Sequence, residues 1–330
     1  LALSSLLSLQ SSLRSFLRLP CLQRIGRRLL PENASYDEGM ISRRQFITGT
    51  LATFGLGGSL SFLTSCGSST PGAATELFQV VQRFPQVLVP GSVRIPISLA
   101  NQAGLLGKTS GVDLPTELRA QLLNSETGEV VVADMVAMRH DANIDPPYWP
   151  FRVDIAETGI YSLVIEGGTQ DGAGVQIMDP ATISIPLIGT PLPGFDTPTI
   201  SNTRGVSPLC TRTPEPCPLH DITLNEALKR GKPIAYLVGT PAHCQTGTCS
   251  PALEALLEMR ELVGDRLTML HTEIYTDDTA TIVAPAVEAL NMTFEPALFI
   301  TDAKGVLVER FDAIFDAVEI TEAFTTLGVL

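Results

Sequence analysis

Positively charged residues are scarce in this 330-residue chain. It has 22 Lys and Arg against 35 Asp and Glu, a formal net charge of −13. Beyond residue 65 the balance is 15 basic to 32 acidic residues, a net charge of −17. Proteins that bind nucleic acid carry basic patches, and this balance excludes one, so we expect no nucleic-acid partner.

Long apolar runs are also absent after Cys66. No stretch there approaches the roughly 20 consecutive apolar residues that a membrane-spanning helix needs. The 264 residues that follow Cys66 are enough for about two domains. We therefore expect an acidic, two-domain protein outside the bilayer, held to the membrane by another means.

Residues 40–66 have the pattern of a bacterial export signal. Arg43 and Arg44 precede a moderately apolar stretch, which ends in Leu-Thr-Ser-Cys at Cys66. This arrangement is typical of secretory signals, and the paired arginines resemble the twin-arginine type. The final four residues resemble a lipobox, which implies a lipid on Cys66 and a membrane-anchored extracytoplasmic protein, at the cell surface or in the periplasm. An ordinary transmembrane helix is the alternative, although the glycines in the stretch make it weakly apolar.

Residues 1–39 do not fit in front of an export signal. They contain no Met, and their Leu-, Ser- and Arg-rich sequence has no acidic residue before Glu32. We interpret them as non-native sequence translated upstream of a start at Met40; an organellar transit peptide is the alternative. Cys21 therefore has no place in the predicted fold. Residues 67–76, rich in small residues, are interpreted as a flexible tether.

Residues 77–189 have the pattern of an all-β domain. Short apolar or alternating runs are separated by turn sequences, which predicts a β-sandwich. The predicted strands are 87–89, 93–99, 118–123, 130–136, 151–155, 161–165 and 181–185. The sequence from Glu157 to Tyr161 resembles the acid-x-Gly-x-Tyr corner of immunoglobulin-like domains, in which the Tyr hydroxyl bonds to nearby backbone. Trp149, the single tryptophan, is expected to pack at the edge of this sandwich rather than to line a binding surface.

Residues 190–205, rich in Pro, Thr and Gly, are predicted to be a linker. In residues 206–330 helices and strands alternate. A short helix over 223–230 is followed by the predicted elements strand 233–238, helix 251–263, strand 267–274, helix 282–290, strands 297–301 and 306–311, and helix 317–326. This order predicts a sheet whose first strands are parallel and whose last two form a hairpin. The fold class is therefore multidomain, an all-β immunoglobulin-like sandwich followed by an α/β domain.

The α/β part resembles a thioredoxin-like domain. The residues that carry the resemblance are the strand 233–238, the loop from Cys244 to Cys249, Pro251 at the start of the next helix, and Pro296 before the hairpin. The resemblance implies a redox cysteine where the strand meets the helix, and a cis-proline, Pro296, that faces it. It further implies thiol–disulfide exchange with the thiols or disulfides of exported proteins, with Cys244, Cys249 and Pro296 as the catalytic residues and no cofactor.

The chemistry of this loop can also be argued from its residues. Ser250 is predicted to cap the helix N-terminus, with Pro251 in its first turn. Cys249 would then lie beside free backbone N–H groups and the positive end of the helix dipole, an environment that lowers a thiol pKa. Which of the two cysteines attacks first is left open by the sequence.

The loop departs from redox thioredoxins in three respects, the first of which is Ala242-His243 where those proteins have a Trp before the first cysteine. Four residues separate Cys244 from Cys249 where those proteins have two, and the strand before the loop has no buried acid for proton transfer. A structural disulfide is therefore an open alternative, since exported cysteines are usually oxidised. On that alternative the chain is a non-enzymatic binding or scaffold lipoprotein.

Cys210 and Cys217 form a second pair, close to the linker. We predict a structural disulfide between them, with metal binding through both cysteines and His220 as the alternative. Copper chaperones of cytochrome oxidase also resemble this chain, in export, anchoring and two loop cysteines. They use a three-residue spacing and a histidine far downstream, whereas no histidine follows His271 here. His243 beside Cys244 has the right ligand type but not the spacing, so we expect no bound metal.

Overall fold

The structure is a computed structural model, and it describes residues 77–330. The proposed signal with Cys66, the tether, and the segment that contains Cys21 lie outside the described residues. Within residues 77–330 no helix combines the length and the apolar content that crossing a bilayer requires.

Two four-stranded antiparallel sheets make up the first half of the described chain. In the first sheet β2 is paired with three neighbours, and in the second the order is β5-β4-β7-β8. The strands of the first sheet are β1 (Gln79–Gln82), β2 (Gly91–Asn101), β3 (Gly104–Leu105) and β6 (Trp149–Ile155). Those of the second are β4 (Glu117–Asn124), β5 (Val130–Met138), β7 (Gly159–Ile165) and β8 (Ala173–Ile177).

The two sheets share one apolar core. Alternate residues of β4, β6 and β7 are buried, as the period of two along a strand requires when one face is covered. Trp149 is fully buried in this core. The Tyr161 hydroxyl donates to the Glu157 carbonyl at 3.0 Å, which confirms the predicted corner contact. The all-β character is thus confirmed, while the immunoglobulin-like assignment of residues 77–189 stays a prediction.

The second half contains a mixed four-stranded sheet with the order β10-β9-β11-β12. Strands β9 and β10 are parallel, and β11 is antiparallel to both β9 and β12, which confirms the predicted strand directions. The strands are β9 (Ile234–Val238), β10 (Thr268–Thr272), β11 (Ala297–Thr301) and β12 (Leu307–Asp312). The helices are α1 (Leu224–Leu228), α2 (Cys249–Val263), α3 (Pro285–Ala289) and α4 (Ala317–Thr326).

Helices cover both faces of this sheet. The apolar residues of α2 and α4 share one core with Leu237, Leu298 and Phe311, whereas those of α1 and α3 share another with Tyr236 and Phe299. Every residue of β9 is buried, because the strand is central and both its faces are covered. The carboxyl end of β9, which leads to α2, is therefore packed between helices on both faces of the sheet.

Three predicted elements differ from the structure. Residues 87–89 are not a strand, since the Val87 N–H turns back to the Pro85 carbonyl. Residues 181–185 are not a strand either, because Asp179 caps a short 3₁₀ turn that starts at Pro180. The helix predicted over 282–290 begins only at Pro285, because the Asp277 carboxylate accepts the N–H of Ile282 and holds the preceding segment as a loop.

The predicted linker is not free of the domains that it joins. The Leu192 N–H donates to the Gly305 carbonyl, and the Leu307 N–H donates to the Thr190 carbonyl, both at 2.9 Å. Leu192 is also buried. The start of residues 190–205 therefore runs along the edge strand β12 as part of the folded unit.

A buried ion pair joins the two halves. Arg94, on β2, donates from Nε and Nη2 to the two carboxylate oxygens of Glu319, on α4, at 2.7 and 2.6 Å. The same carboxylate accepts the Tyr148 hydroxyl at 2.7 Å, and Arg94 also donates to the Ile314 carbonyl. The side chains of Arg94 and Glu319 are 8% and 1% exposed, so neither charge is solvated by water.

We expect Arg94→Met to lower the free energy of unfolding by about 3–5 kcal/mol, because it removes the hydrogen-bonded partner of the buried Glu319 charge. The remaining cation nearby is Arg152, whose Nη2 lies 3.5 Å from Oε1 of Glu319. The matched control is Arg119→Met, which removes a half-exposed arginine that pairs with Glu117 and Asp134; its effect should be much smaller, because water screens exposed ion pairs. Urea unfolding of both variants measures the difference. An equal loss of unfolding free energy in the two variants would show that the buried pair stabilises the fold no more than the exposed one.

Candidate functional site

Cys244 and Cys249 lie where β9 passes into α2. Cys249 is the first residue of the helix and Thr248 is its N-cap, without a side-chain capping bond. The prediction that Ser250 caps the helix is therefore wrong: the helix begins two residues earlier than predicted, and Ser250 lies exposed in its first turn. The tight turn at Gly247, where φ is +68°, returns the loop so that both cysteines face each other. Their sulfurs lie within 4.8 Å of each other, as two free thiols.

Cys244 is the more accessible thiol, and its environment favours the charged form. Its sulfur accepts the backbone N–H of Cys249 at 3.3 Å and lies 3.2 Å from the Thr246 hydroxyl. The hydrogen bond from the Cys249 thiol, with those from Thr246 and the helix N–H, outweighs partial burial and lowers the pKa of Cys244 to about 4. At neutral pH the group is a thiolate, which is the nucleophilic form.

Cys249 has the opposite character. It is 1% exposed, and its sulfur lies 3.4 Å from Oε2 of Glu295. The hydrogen bond to the Cys244 thiolate raises the pKa of Cys249 well above its ordinary value, and burial and the Glu295 charge act in the same direction. The expectation that the helix N-terminus would lower the pKa of Cys249 is wrong. The N–H of that terminus points instead at the Cys244 sulfur, which receives the stabilisation.

Glu295 is a site residue that was not predicted from the sequence. Its Oε2 accepts the Thr240 N–H at 3.2 Å and faces the Cys249 sulfur. Burial, followed by the negative charge of Cys244, raises the pKa of Glu295 to about 7. A carboxyl group with a pKa near neutrality can accept and release a proton under ordinary conditions. The signal for it was its place directly before Pro296, which the thioredoxin resemblance already set opposite the cysteines.

Pro296 lies in the position that the resemblance implies. Its peptide bond with Glu295 is cis, and the residue is buried at the start of β11. A Cβ atom on Gly239 would lie 3.2 Å from Cβ of Pro296 and 3.5 Å from the Cys249 sulfur. Gly239 thus lets the end of β9 approach both residues closely. The structure therefore brings together all three predicted catalytic residues.

His243 does not join this group. The side chains that converge at the site are Cys244, Cys249 and Glu295, whereas the His243 ring packs edge-on near the Tyr275 ring, with centroids 6.2 Å apart. In the described chain the cysteine pair therefore has no histidine at ligand distance, and the soft-metal set expected of a copper chaperone is incomplete there.

Cys210 and Cys217 are brought together as predicted, but as free thiols, so the predicted disulfide is not formed in this structure. They are joined by His220, which the sequence analysis named as the possible third ligand, and by His271, which it did not. All four side chains are buried. His271 comes from β10 and is 54 residues from Cys217, so no local spacing could have indicated it.

Comparisons with known proteins give little beyond this geometry. No protein-family model matches the chain, and no curated protein matches it either. Among solved structures, the chain is similar to a thiol:disulfide interchange protein of the thioredoxin family from Chlorobium tepidum TLS, with 13% identity and a TM-score of 0.31. The match covers 43% of this chain and 97% of that one. A likeness this distant assigns no activity.

We expect the alkylation rate of Cys244 in the reduced protein to rise with pH through about 4 and to be constant at neutral pH, because only the thiolate reacts. Cys249→Ala removes the strongest donor to the Cys244 sulfur and should move this rise to higher pH, whereas Cys249→Ser keeps a donor and should move it less. Iodoacetamide labelling followed by mass spectrometry measures both. A wild-type rate that still climbs above pH 7 would contradict the assignment of the thiolate to Cys244.

Proposed function

We propose that this protein is a membrane-anchored, extracytoplasmic thiol–disulfide exchange protein, in which Cys244 attacks and Cys249 resolves. The observation that carries the proposal is the inequality of the two thiols. An accessible, stabilised thiolate lies beside a buried, protonated thiol that faces a carboxylate. A pair with only a structural role has no need of such a difference.

The first step forms a mixed disulfide. The Cys244 thiolate attacks one sulfur of a partner's disulfide, a bond forms between Cys244 and the partner, and the second partner sulfur leaves as a thiolate. The positive charge density of the helix N-terminus and the Thr246 hydroxyl stabilise Cys244 before attack. Only the half-buried Cys244 is open to a large partner, because Cys249 is covered.

The second step releases the partner. Cys249 gives its proton to Glu295, and the resulting thiolate attacks the Cys244 sulfur. This breaks the bond between Cys244 and the first partner sulfur, which leaves as a thiolate. The partner has then gained two electrons, and Cys244 and Cys249 have become a disulfide. Bonding of Cys244 to the partner removes its charge, which is one of the causes of the raised pKa of Glu295. Glu295 therefore becomes ionised more readily when its base function is needed. The same steps in reverse oxidise a partner.

A cavity of about 320 Å³ beside the loop offers a place for the partner. Thr246 and Phe294 line it from the α/β part, and Arg83 and Phe84 line it from the sandwich. Since Thr246 touches the Cys244 sulfur, a segment in this cavity would lie next to the nucleophile. We place an extended segment of an exported protein here, alongside Pro296, and this gives the sandwich a part in partner selection.

The anchor is a separate part of the proposal. An export signal that ends at Cys66 predicts a lipid-modified cysteine as the first residue of the mature protein. Stable attachment takes more than one acyl chain, so we expect a diacylglyceryl group, which carries two. Mass spectrometry of the protein from membranes should show a modified Cys66 at the N-terminus; an unmodified chain that retains the residues before Cys66 would contradict the anchor.

We expect Cys249→Ser to accumulate a stable mixed disulfide with glutathione at Cys244 when glutathione disulfide is supplied, because the resolving thiol is gone. Cys244→Ser should accumulate at least tenfold less, since Cys249 is buried and protonated. The wild type should end as an internal disulfide. Intact mass spectrometry distinguishes the three products. If neither variant forms an adduct, and the pair's reduction potential lies below about −300 mV, the structural alternative replaces this proposal.

We expect the decay of the wild-type mixed disulfide to accelerate with rising pH and to level off at or below about pH 7, because Glu295 must be ionised to accept the Cys249 proton. Glu295→Gln should slow the decay about 100-fold and move its rise to higher pH. Glu322→Gln, an exposed carboxyl on α4, is the control. Stopped-flow release of glutathione measures the rates. An unchanged pH profile in Glu295→Gln would remove the proton-transfer role.

A further inference from the structure

The second cysteine group has the composition and burial of a metal site. Cys210, Cys217 and His220 come from the loop before α1, and His271 comes from β10. They are 5%, 3%, 1% and 1% exposed, and their ligand atoms all lie within 4.8 Å of one another. Two thiolates and two imidazoles are a common ligand set for structural zinc.

The distances agree with a single tetrahedral centre. Nε2 of His220 lies 3.2 Å from the Cys217 sulfur, and Nδ1 of His271 lies 3.4 Å from that sulfur and 3.8 Å from the Cys210 sulfur. Zinc bonds of about 2.3 Å to sulfur and 2.0–2.1 Å to nitrogen place tetrahedral ligands roughly 3.3–3.8 Å apart. The three sulfur–nitrogen separations are thus close to those that such an ion imposes, and the other ligand atoms lie within 4.8 Å of one another.

A neighbouring carbonyl orients one of the two imidazoles for this purpose. Nε2 of His271 donates its hydrogen to the Gly239 carbonyl at 3.0 Å, which leaves the lone pair of Nδ1 directed at the sulfurs. Nδ1 of His220 is buried and, within residues 77–330, has no hydrogen-bond partner. The polar contact of that ring is therefore made through Nε2, towards Cys217.

A disulfide would suit these surroundings less well. Oxidation of Cys210 and Cys217 would remove both S–H donors and both potential thiolates. The buried nitrogens that face them on His220 and His271 would then lose their partners, which costs about 1–3 kcal/mol for each unsatisfied group. A divalent ion instead satisfies both nitrogens and balances the two thiolate charges, so that the buried site is neutral.

We infer that Cys210, Cys217, His220 and His271 bind one Zn²⁺ ion in a closed, structural site. Four protein ligands and full burial leave no position for a substrate, so the ion has no part in the exchange chemistry. Its place in the fold gives it another effect. The Thr211 hydroxyl accepts the Ala242 N–H at 3.1 Å, and the Gly239 carbonyl accepts a hydrogen bond from His271. The ion therefore anchors both ends of the segment 239–242, which leads to Cys244.

The test is the metal content of the full chain, purified in detergent after expression with zinc. Inductively coupled plasma mass spectrometry should find about one zinc ion per chain. His271→Ala and Cys210→Ser should each retain less than about a fifth of it, and the double variant Cys244→Ser, Cys249→Ser should retain all of it. Less than a fifth of an equivalent in the wild type, or full retention in His271→Ala, would overturn the inference, as would copper bound in place of zinc.

A second measurement needs no variant and so does not depend on whether a substituted core folds. In the native protein, Cys210 and Cys217 should resist alkylation until a strong chelator is added, with no reductant present. If a reductant is required and a chelator has no effect, the two residues form a disulfide and the zinc inference is wrong. Since this readout does not involve Cys244 or Cys249, it is independent of the outcome for the exchange activity.

Discussion

The close approach of three strands at the carboxyl end of β9 is the constraint on which both cysteine groups depend. The register pairs Val238 with Thr272 on the parallel side and with Ala297 on the antiparallel side. It therefore brings His271 and Pro296, each one residue from those partners, to the two sides of Gly239. The carbonyl of Gly239 bonds to His271, and its missing side chain admits Pro296 and Cys249. One backbone position thus serves two different chemical sites.

In the proposed exchange site, burial distinguishes two chemically identical thiols. Water reaches Cys244, and the first N–H of α2 stabilises its charge. Cys249 is buried away from water. A second negative charge at this buried position, beside Cys244 and Glu295, would be unfavourable. The three groups therefore share a limited negative charge, and in the proposed exchange mechanism a proton moves among them as the bonding of Cys244 changes. The four-residue spacing does not prevent this, because the turn at Gly247 folds the longer loop back.

The order of the α/β elements and the place of the cysteine loop could be predicted because both are local properties. Apolar periodicity marks β9 and α2, and Cys249 lies at their junction. The contacts of His271 and Glu295 could not be predicted in this way. Each is more than 40 residues from the cysteine that it contacts, and the sheet register alone creates that proximity. The predicted direction of the Cys249 pKa shift was wrong for a related reason. It depended on where a single N–H group of the helix points, which the sequence does not show.

The interdomain pair of Arg94 and Glu319 limits the exchange of either half for an unrelated domain. A charge on one half is neutralised only by the other half, so neither half is a self-sufficient module, whatever the sequence suggests about a boundary near residue 190. Exchange of the sandwich for an unrelated one would leave Glu319 ionised in a dry environment.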